Sequence, residues 1–146
     1  VKPHQDSTFL YTEPNTTLAF WTPLQQATLE NACLQVIPGS HKWPILFRYV
    51  KYEDRTLGYE DMEGRKLTEG ELDALKQQWD GHAFISIPMN PGALLLFKGS
   101  LVHGSGPNTS EKPRNAYTFH VTSATSDYSA KNWLQRKEFV PVKSDK

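Results

Sequence analysis

The sequence predicts an all-β fold of the sandwich or jelly-roll kind, with one short helix set into an insertion. Three patterns point that way. Short apolar and aromatic runs recur along the chain, each closed by Pro, Gly or Asn. The segment from Ala116 to Thr122 alternates with the period of a strand. Helix signals gather at a single place, around Thr68.

The elements can be justified in order. Phe9-Leu10-Tyr11 reads as a strand ended by the turn residues Glu13-Pro14-Asn15. Leu18 to Thr22 is a second, aromatic strand, stopped by Pro23, and the polar stretch Leu24 to Asn31 is a connection. Cys33 to Ile37 is a third strand, and Pro38-Gly39-Ser40 forces a turn. Lys42 to Lys66 mixes aromatics and charges without a clean period, which suggests an excursion from the sheet. Thr68 and Glu71 then form a capping box, and Leu67 and Leu72 hold the positions of a hydrophobic staple. Leu72, Leu75 and Trp79 make one apolar helix face, and Gly81 is placed to end it. Strands return at Ala83 to Ile87, at the buried run Ala93 to Phe97, and at Leu101-Val102-His103 before the Gly/Pro-rich loop Gly104 to Asn108. Ala116 to Thr122 is a half-buried strand, and Trp133 and Leu134 are expected to dock the tail.

Composition removes several function classes. The chain has 146 residues, 38% hydrophobic and 12% aromatic, enough for one domain or part of one. Sixteen basic residues balance sixteen acidic ones, so neither a nucleic-acid partner held through phosphates nor an anionic membrane surface is favoured. No apolar run approaches a membrane span. The single cysteine, Cys33, excludes an internal disulfide framework and Cys-rich zinc sites, and reads as a small buried apolar group. It favours an intracellular setting, cytoplasmic in the first instance. The ending Ser144-Asp145-Lys146 is not the peroxisomal Ser-Lys-Leu, although the peroxisome stays open through other signals. Oligomeric state is not readable.

Chemistry gathers around a few residues. His4 and Asp6 are two apart, so in an extended chain both side chains point to one side and can grip one ion. His103, at a strand end beside the small residues Gly104, Ser105 and Gly106, is the best third ligand. Two histidines and one carboxylate on one face leave the other positions of an octahedral ion open, which is the ligand pattern of non-haem Fe(II) oxygenases. Arg114, eleven residues after His103 and just before the last clear strand, offers a planar guanidinium suited to the far carboxylate of a 2-oxo diacid. The other histidines take ordinary roles. His41 follows a turn, His82 sits in a loop and His120 lies within a strand.

Several motifs in order resemble the phytanoyl-CoA dioxygenase family: Pro3-His4-Gln5-Asp6 through Pro14, Ala27 to Leu34, Ile37 to His41, Val102-His103-Gly104-Ser105, and Arg114 to His120. The resemblance covers nearly the whole chain apart from Trp43 to Asp80. It implies a double-stranded β-helix (jelly roll), Fe(2+) as metal and 2-oxoglutarate as cosubstrate. By matching position it makes His4, Asp6 and His103 the iron ligands, gives Arg114 the 2-oxoglutarate carboxylate, and sets Trp21 and Ser105 in the cosubstrate pocket. It also implies a dioxygenase that uses O2 to hydroxylate a small organic or acyl-type substrate. Asp6 stands where a small residue would open a halide site, which favours hydroxylation over halogenation. The divergent Trp43 to Asp80 segment is expected to cover the mouth of the site.

The residues with most chemical character begin at His4, close to Val1, and a working site needs a supporting shell. Residues 1–146 are therefore expected to be the C-terminal part of a single such domain whose N-terminal portion is missing. Two other readings stay open: a non-catalytic jelly-roll binding module, since fold does not fix function, and an inactive truncated product.

Overall fold

The computed structural model describes residues 1–142, so the Ser144-Asp145-Lys146 ending lies outside the described residues. Its strands are β1 (Thr12–Glu13), β2 (Leu18–Pro23), β3 (Leu34–Val36), β4 (Phe47–Lys51) and β5 (Leu57–Asp61). The helix α1 (Glu69–Lys76) follows, then β6 (Ile85–Ile87), β7 (Leu95–Lys98), β8 (His103–Ser105), β9 (Ala116–Val121) and β10 (Asp127–Tyr128). Every strand pair is antiparallel. One sheet has the order β7-β2-β9 and a second β6-β3-β8, with β1-β10 and β4-β5 as two-stranded pairs. Strands distant in sequence thus flank each central strand, the interleaving of a jelly roll, and the predicted all-β class holds.

The two larger sheets share one core. Trp21 of β2 packs with Leu34 of β3, Ala27 and Cys33, and Leu95, Phe97, Met89 and Ala116 close around them. A second cluster seats the insertion: Phe47, Leu72 and Trp79 pack on Ile37 and Val102 at the ends of β3 and β8. The capping box forms as predicted, Thr68 Oγ1 accepting from the Glu71 amide and the Glu71 carboxylate from the Thr68 amide. The regular helix ends at Lys76 and tightens into a 3₁₀ turn over Gln77–Trp79, which buries Trp79 before Gly81 turns the chain at φ +81°.

Several expectations are corrected or refined, beginning with the strand expected at Leu101–His103, which instead starts at His103 and runs through Gly104 and Ser105. Phe9 to Tyr11 is not a strand. Asp6–Thr8 forms a 3₁₀ turn whose first carbonyl accepts from the amides of Phe9 and Leu10. The polar residues around it bond locally: Ser7 Oγ donates to Asn15, and the Thr8 amide donates to the Gln5 carbonyl. Lys42 to Lys66 does leave the main sheets, but it contains the β4-β5 hairpin. That hairpin hides its period because Glu60 occupies a core position, 1% exposed, opposite Arg48.

Ala93 to Phe97 is not buried throughout. Leu95 and Phe97 pack inward, whereas Leu94 and Leu96 are more than half exposed. In β9, Tyr117 and Phe119 likewise face outward. Leu96, Phe20 and Phe119 form one row across the outer face, with Phe119 stacked on Phe20 at 4.6 Å. The tail docks chiefly through Asn132, while Trp133 meets the Tyr49 ring at 6.4 Å and the Leu134 carbonyl accepts from the Tyr128 hydroxyl. Asn132 is fully buried, and its amide group pairs with both backbone groups of Tyr11.

Candidate metal centre

A reciprocal backbone bridge brings His4 and His103 together: the His4 amide donates to the His103 carbonyl at 2.9 Å and the His103 amide returns the bond at 3.0 Å. Residues paired this way present their side chains on the same face, and the two rings lie 4.3 Å apart between centroids. Gln5 is extended (φ −113°, ψ 129°), so Asp6 returns to the side of His4. Gln5 itself points away, fully buried, and its Nε2 donates to the Ser100 carbonyl at 2.8 Å. One residue on, the Ser7 amide donates to the Gly99 carbonyl. The segment is therefore tied down on the side opposite its ligand candidates.

The result is a compact donor set. Asp6 Oδ1 lies 3.4 Å from His4 Nε2 and 3.7 Å from His103 Nε2, and the ligand atoms of all three residues fall within 4.8 Å of one another. Both rings are oriented from behind, His4 Nδ1 by the Lys2 carbonyl at 2.9 Å and His103 Nδ1 by the Leu101 carbonyl at 3.0 Å. A carbonyl only accepts, so each Nδ1 carries a hydrogen, and Nε2 is the atom each ring presents to the carboxylate. Three electron-rich atoms converging in a largely buried site suit a cation. Phe97 meets His103 edge-on at 4.8 Å and shields that ring.

The electrostatics follow. Burial pushes the Asp6 pKa up, but hydrogen bonds from His120 and His4 and the nearness of His103 hold it well below the carboxylate range. Burial pushes His103 down, against the pull of Asp6. At His4, burial is outweighed by Asp6 and the Lys2 carbonyl, so its pKa is raised. A proton and a metal ion compete for the same Nε2 atom.

His120 also reaches this centre, contrary to the structural role its strand position suggested. Its Nε2 lies 3.1 Å from Asp6 Oδ2. Antiparallel register explains how: Ala19 faces both Phe97 and His120, so Phe97, Ala19 and His120 form a row on the inner face. Period two in β9 was the available signal. It is misleading, because the aromatic alternation of Tyr117 and Phe119 lies on the outside.

The other predicted residues lie around the shared core. Arg114 and Trp21 come together, the guanidinium 5.6 Å from the ring centroid of the buried Trp21. Arg114 Nε donates to the Ala32 carbonyl at 3.0 Å. Among the described residues its terminal nitrogens make no hydrogen bond, which leaves the bidentate fork available. Ser105 stands two residues beyond His103 on β8, on the same side of the strand, and its Oγ accepts from the Val1 amino group at 3.2 Å. His41 is half-buried and His82 packs against Trp43, away from the donor set.

Comparison with known proteins meets this geometry. The family model described as phytanoyl-CoA dioxygenase (PhyH) matches residues 1–116. The chain belongs to the phytanoyl-CoA dioxygenase family. Phytanoyl-CoA dioxygenase domain-containing protein 1 of Danio rerio is 38% identical over 99% of this chain and 47% of its own length. Phytanoyl-CoA dioxygenase of Arabidopsis thaliana is 35% identical over 93% of this chain and 44% of its own. The chain thus spans about half the length of the curated family members it matches. Among solved structures, the non-heme alpha ketoglutarate dependent carbocyclase SnoK superposes with a TM-score of 0.59 at 26% identity, over 87% of this chain and 45% of that one. The epimerase SnoN in complex with Fe3+ and alpha ketoglutarate superposes with a TM-score of 0.57 at 23% identity, over 87% of this chain and 43% of that one, a likeness of fold. No helix among the described residues is long and apolar enough to cross a membrane.

Proposed function

We propose that the protein acts as an Fe(II)- and 2-oxoglutarate-dependent dioxygenase that hydroxylates a small organic or acyl-type substrate. The observation that carries this reading is the convergence of His4 Nε2, His103 Nε2 and Asp6 Oδ1 within 4.8 Å, with both rings oriented by backbone carbonyls. Two imidazoles and one carboxylate are the donor set suited to non-haem Fe(II), and one face of ligands leaves the opposite face to cosubstrate and O2. When bound, iron with 2-oxoglutarate supplies the oxidising chemistry: O2 gives one oxygen atom to succinate, formed with loss of CO2, and the other to the substrate as hydroxyl.

The chain's own residues do the holding and shielding. Arg114 takes the far carboxylate of 2-oxoglutarate through its terminal nitrogens, its plane kept by Trp21 and its Nε by Ala32. Trp21 walls the cosubstrate pocket, and the Ser105 hydroxyl adds a polar contact beside His103. Phe97, between the core and His103, keeps water from that ligand. The second cluster seats Trp79, Leu72 and the hairpin on the ends of β3 and β8, so the insertion sits next to the strand that carries His103 and bears on substrate choice.

The test is succinate formation from 2-oxoglutarate by the full-length protein with Fe(II) and O2, alongside His103→Ala and Arg114→Lys. Slow succinate release that both substitutions suppress is the expected outcome. Absence of succinate, together with no anaerobic binding of Fe(II) and 2-oxoglutarate, would favour a non-catalytic jelly-roll module.

A further inference from the structure

The Asp6 carboxylate is engaged from two sides. Oδ1 is the oxygen nearest His4 and His103, whereas Oδ2 is the oxygen nearest His120, at 3.1 Å. The three histidines are not equivalent. His4 and His103 commit Nδ1 to a carbonyl and turn Nε2 inward. His120 makes no such bond among the described residues, so its ring is free to carry hydrogen on Nε2, and a carboxylate oxygen is an acceptor. His120 also comes from a different sheet strand, held by the Ala19–His120 pair of the β2-β9 ladder, while His103 comes from β8 of the other sheet.

We propose that His120 is a positioning residue for the Asp6 ligand, its Nε2–H holding Oδ2 so that Oδ1 alone is offered to the metal. An untethered carboxylate can rotate and bind through both oxygens. The second oxygen would occupy a coordination position on the face left open to cosubstrate and O2. By fixing Asp6 in single-oxygen binding, His120 keeps that face free, and it ties the metal to β9, the strand that follows Arg114. The inference rests on the reading of His4, Asp6 and His103 as metal ligands.

The test uses the full-length protein and Co(II) as an anaerobic, redox-stable probe, titrated by calorimetry and by its visible absorption. His120→Leu fills the site without a donor, and His120→Gln returns a donor at a similar reach. Loss of an outer partner of a metal ligand weakens metal binding by about 10–100-fold, and that loss is expected for His120→Leu. His120→Gln is expected to stay within a few-fold of wild type, with wild-type-like Co(II) absorption. Wild-type affinity in His120→Leu would overturn the proposal. So would a His120→Gln variant as weak as His103→Ala, because the ring would then be a ligand itself. If His120→Leu does not fold, the Gln variant alone decides: binding more than about tenfold weaker than wild type overturns the assignment. A wild-type protein that binds no Co(II) would instead defeat the underlying metal reading, so the two failures are distinguishable.

Discussion

Arg114 lies across the face of Trp21, 5.6 Å from the ring centroid, while its Nε donates to the carbonyl of Ala32. Ala32 has φ +68°, a left-handed turn that aims its carbonyl at the arginine. The guanidinium is thus held by a cation–π contact and one hydrogen bond, with its fork unspent among the described residues. Arg114→Lys keeps the charge and loses the fork and the planar contact with Trp21. A hydrogen bond to a charged group contributes about 1.5–3 kcal/mol, so 2-oxoglutarate binding is expected to weaken by roughly 10–100-fold, with Co(II) affinity unchanged. Anaerobic titration of 2-oxoglutarate into the metal-loaded protein checks both.

Glu60 is the buried charge that organises the insertion. Its side chain is 1% exposed and accepts from Arg48 at 2.7 Å and Lys131 at 3.1 Å. Arg48 is its cross-strand partner, and Lys131 adjoins Asn132, which pins the tail to Tyr11. Removing one member of a buried pair leaves the other charge uncompensated, at about 3–5 kcal/mol. Glu60→Ala is expected to lower stability by that amount. Lys131→Ala, whose ammonium is largely in water, is expected to cost at most ~1 kcal/mol. Urea unfolding of the three proteins would separate the cases, and equal losses would contradict the asymmetry.

Much of this arrangement was legible in residue order. The donor triad follows from His4-x-Asp6 and a strand-end His103, and the structure adds the extended Gln5 that makes the two-residue spacing work. The capping box at Thr68 was readable because it is a local contact. What escaped was set by register or by charge in the core. His120 shares a face with Ala19 and Phe97 only because β9 pairs with β2 in one particular alignment. The β4-β5 hairpin was hidden because Glu60 and Arg48 interrupt the apolar period that strands normally show. The tail's anchor is the polar Asn132, while the apolar Trp133 beside it stays 42% exposed, the reverse of what hydrophobicity suggests.

The cap of α1 sets a pH dependence. The Thr68 amide and hydroxyl and the Arg65 guanidinium all bond to the Glu71 carboxylate and hold its pKa down to about 2. The folded pKa lies below the ordinary value, so the cap's contribution is fully present above the normal glutamate range and is lost as pH falls through about 2. Carboxyl NMR should show Glu71 titrating well below the ordinary glutamate range. Thr68→Ala should move its midpoint back toward that range, and an unmoved midpoint would count against the cap as the cause.

Gly99 keeps the segment after His4 and Asp6 in place by having no side chain. A Cβ there would stand 2.5 Å from Ser7 Oγ and 2.9 Å from the Thr17 side chain. The Gly99 carbonyl also accepts from the Ser7 amide, and its own amide donates to Thr17. Gly99→Ala therefore presses on the Ser7 hydroxyl and the Thr17 side chain, next to Asp6. Overpacking of this kind typically costs about 1–3 kcal/mol, and on the proposed reading of Asp6 as a metal ligand Co(II) binding should weaken along with stability. Gly106→Ala is the matched control, because a Cβ at Gly106 meets nothing within 4 Å. Thermal melts and Co(II) titrations of the pair should show both losses in the first protein and neither in the second. A Gly99→Ala protein that melts early yet binds Co(II) as wild type would show that the 3₁₀ turn absorbs the strain before it reaches Asp6.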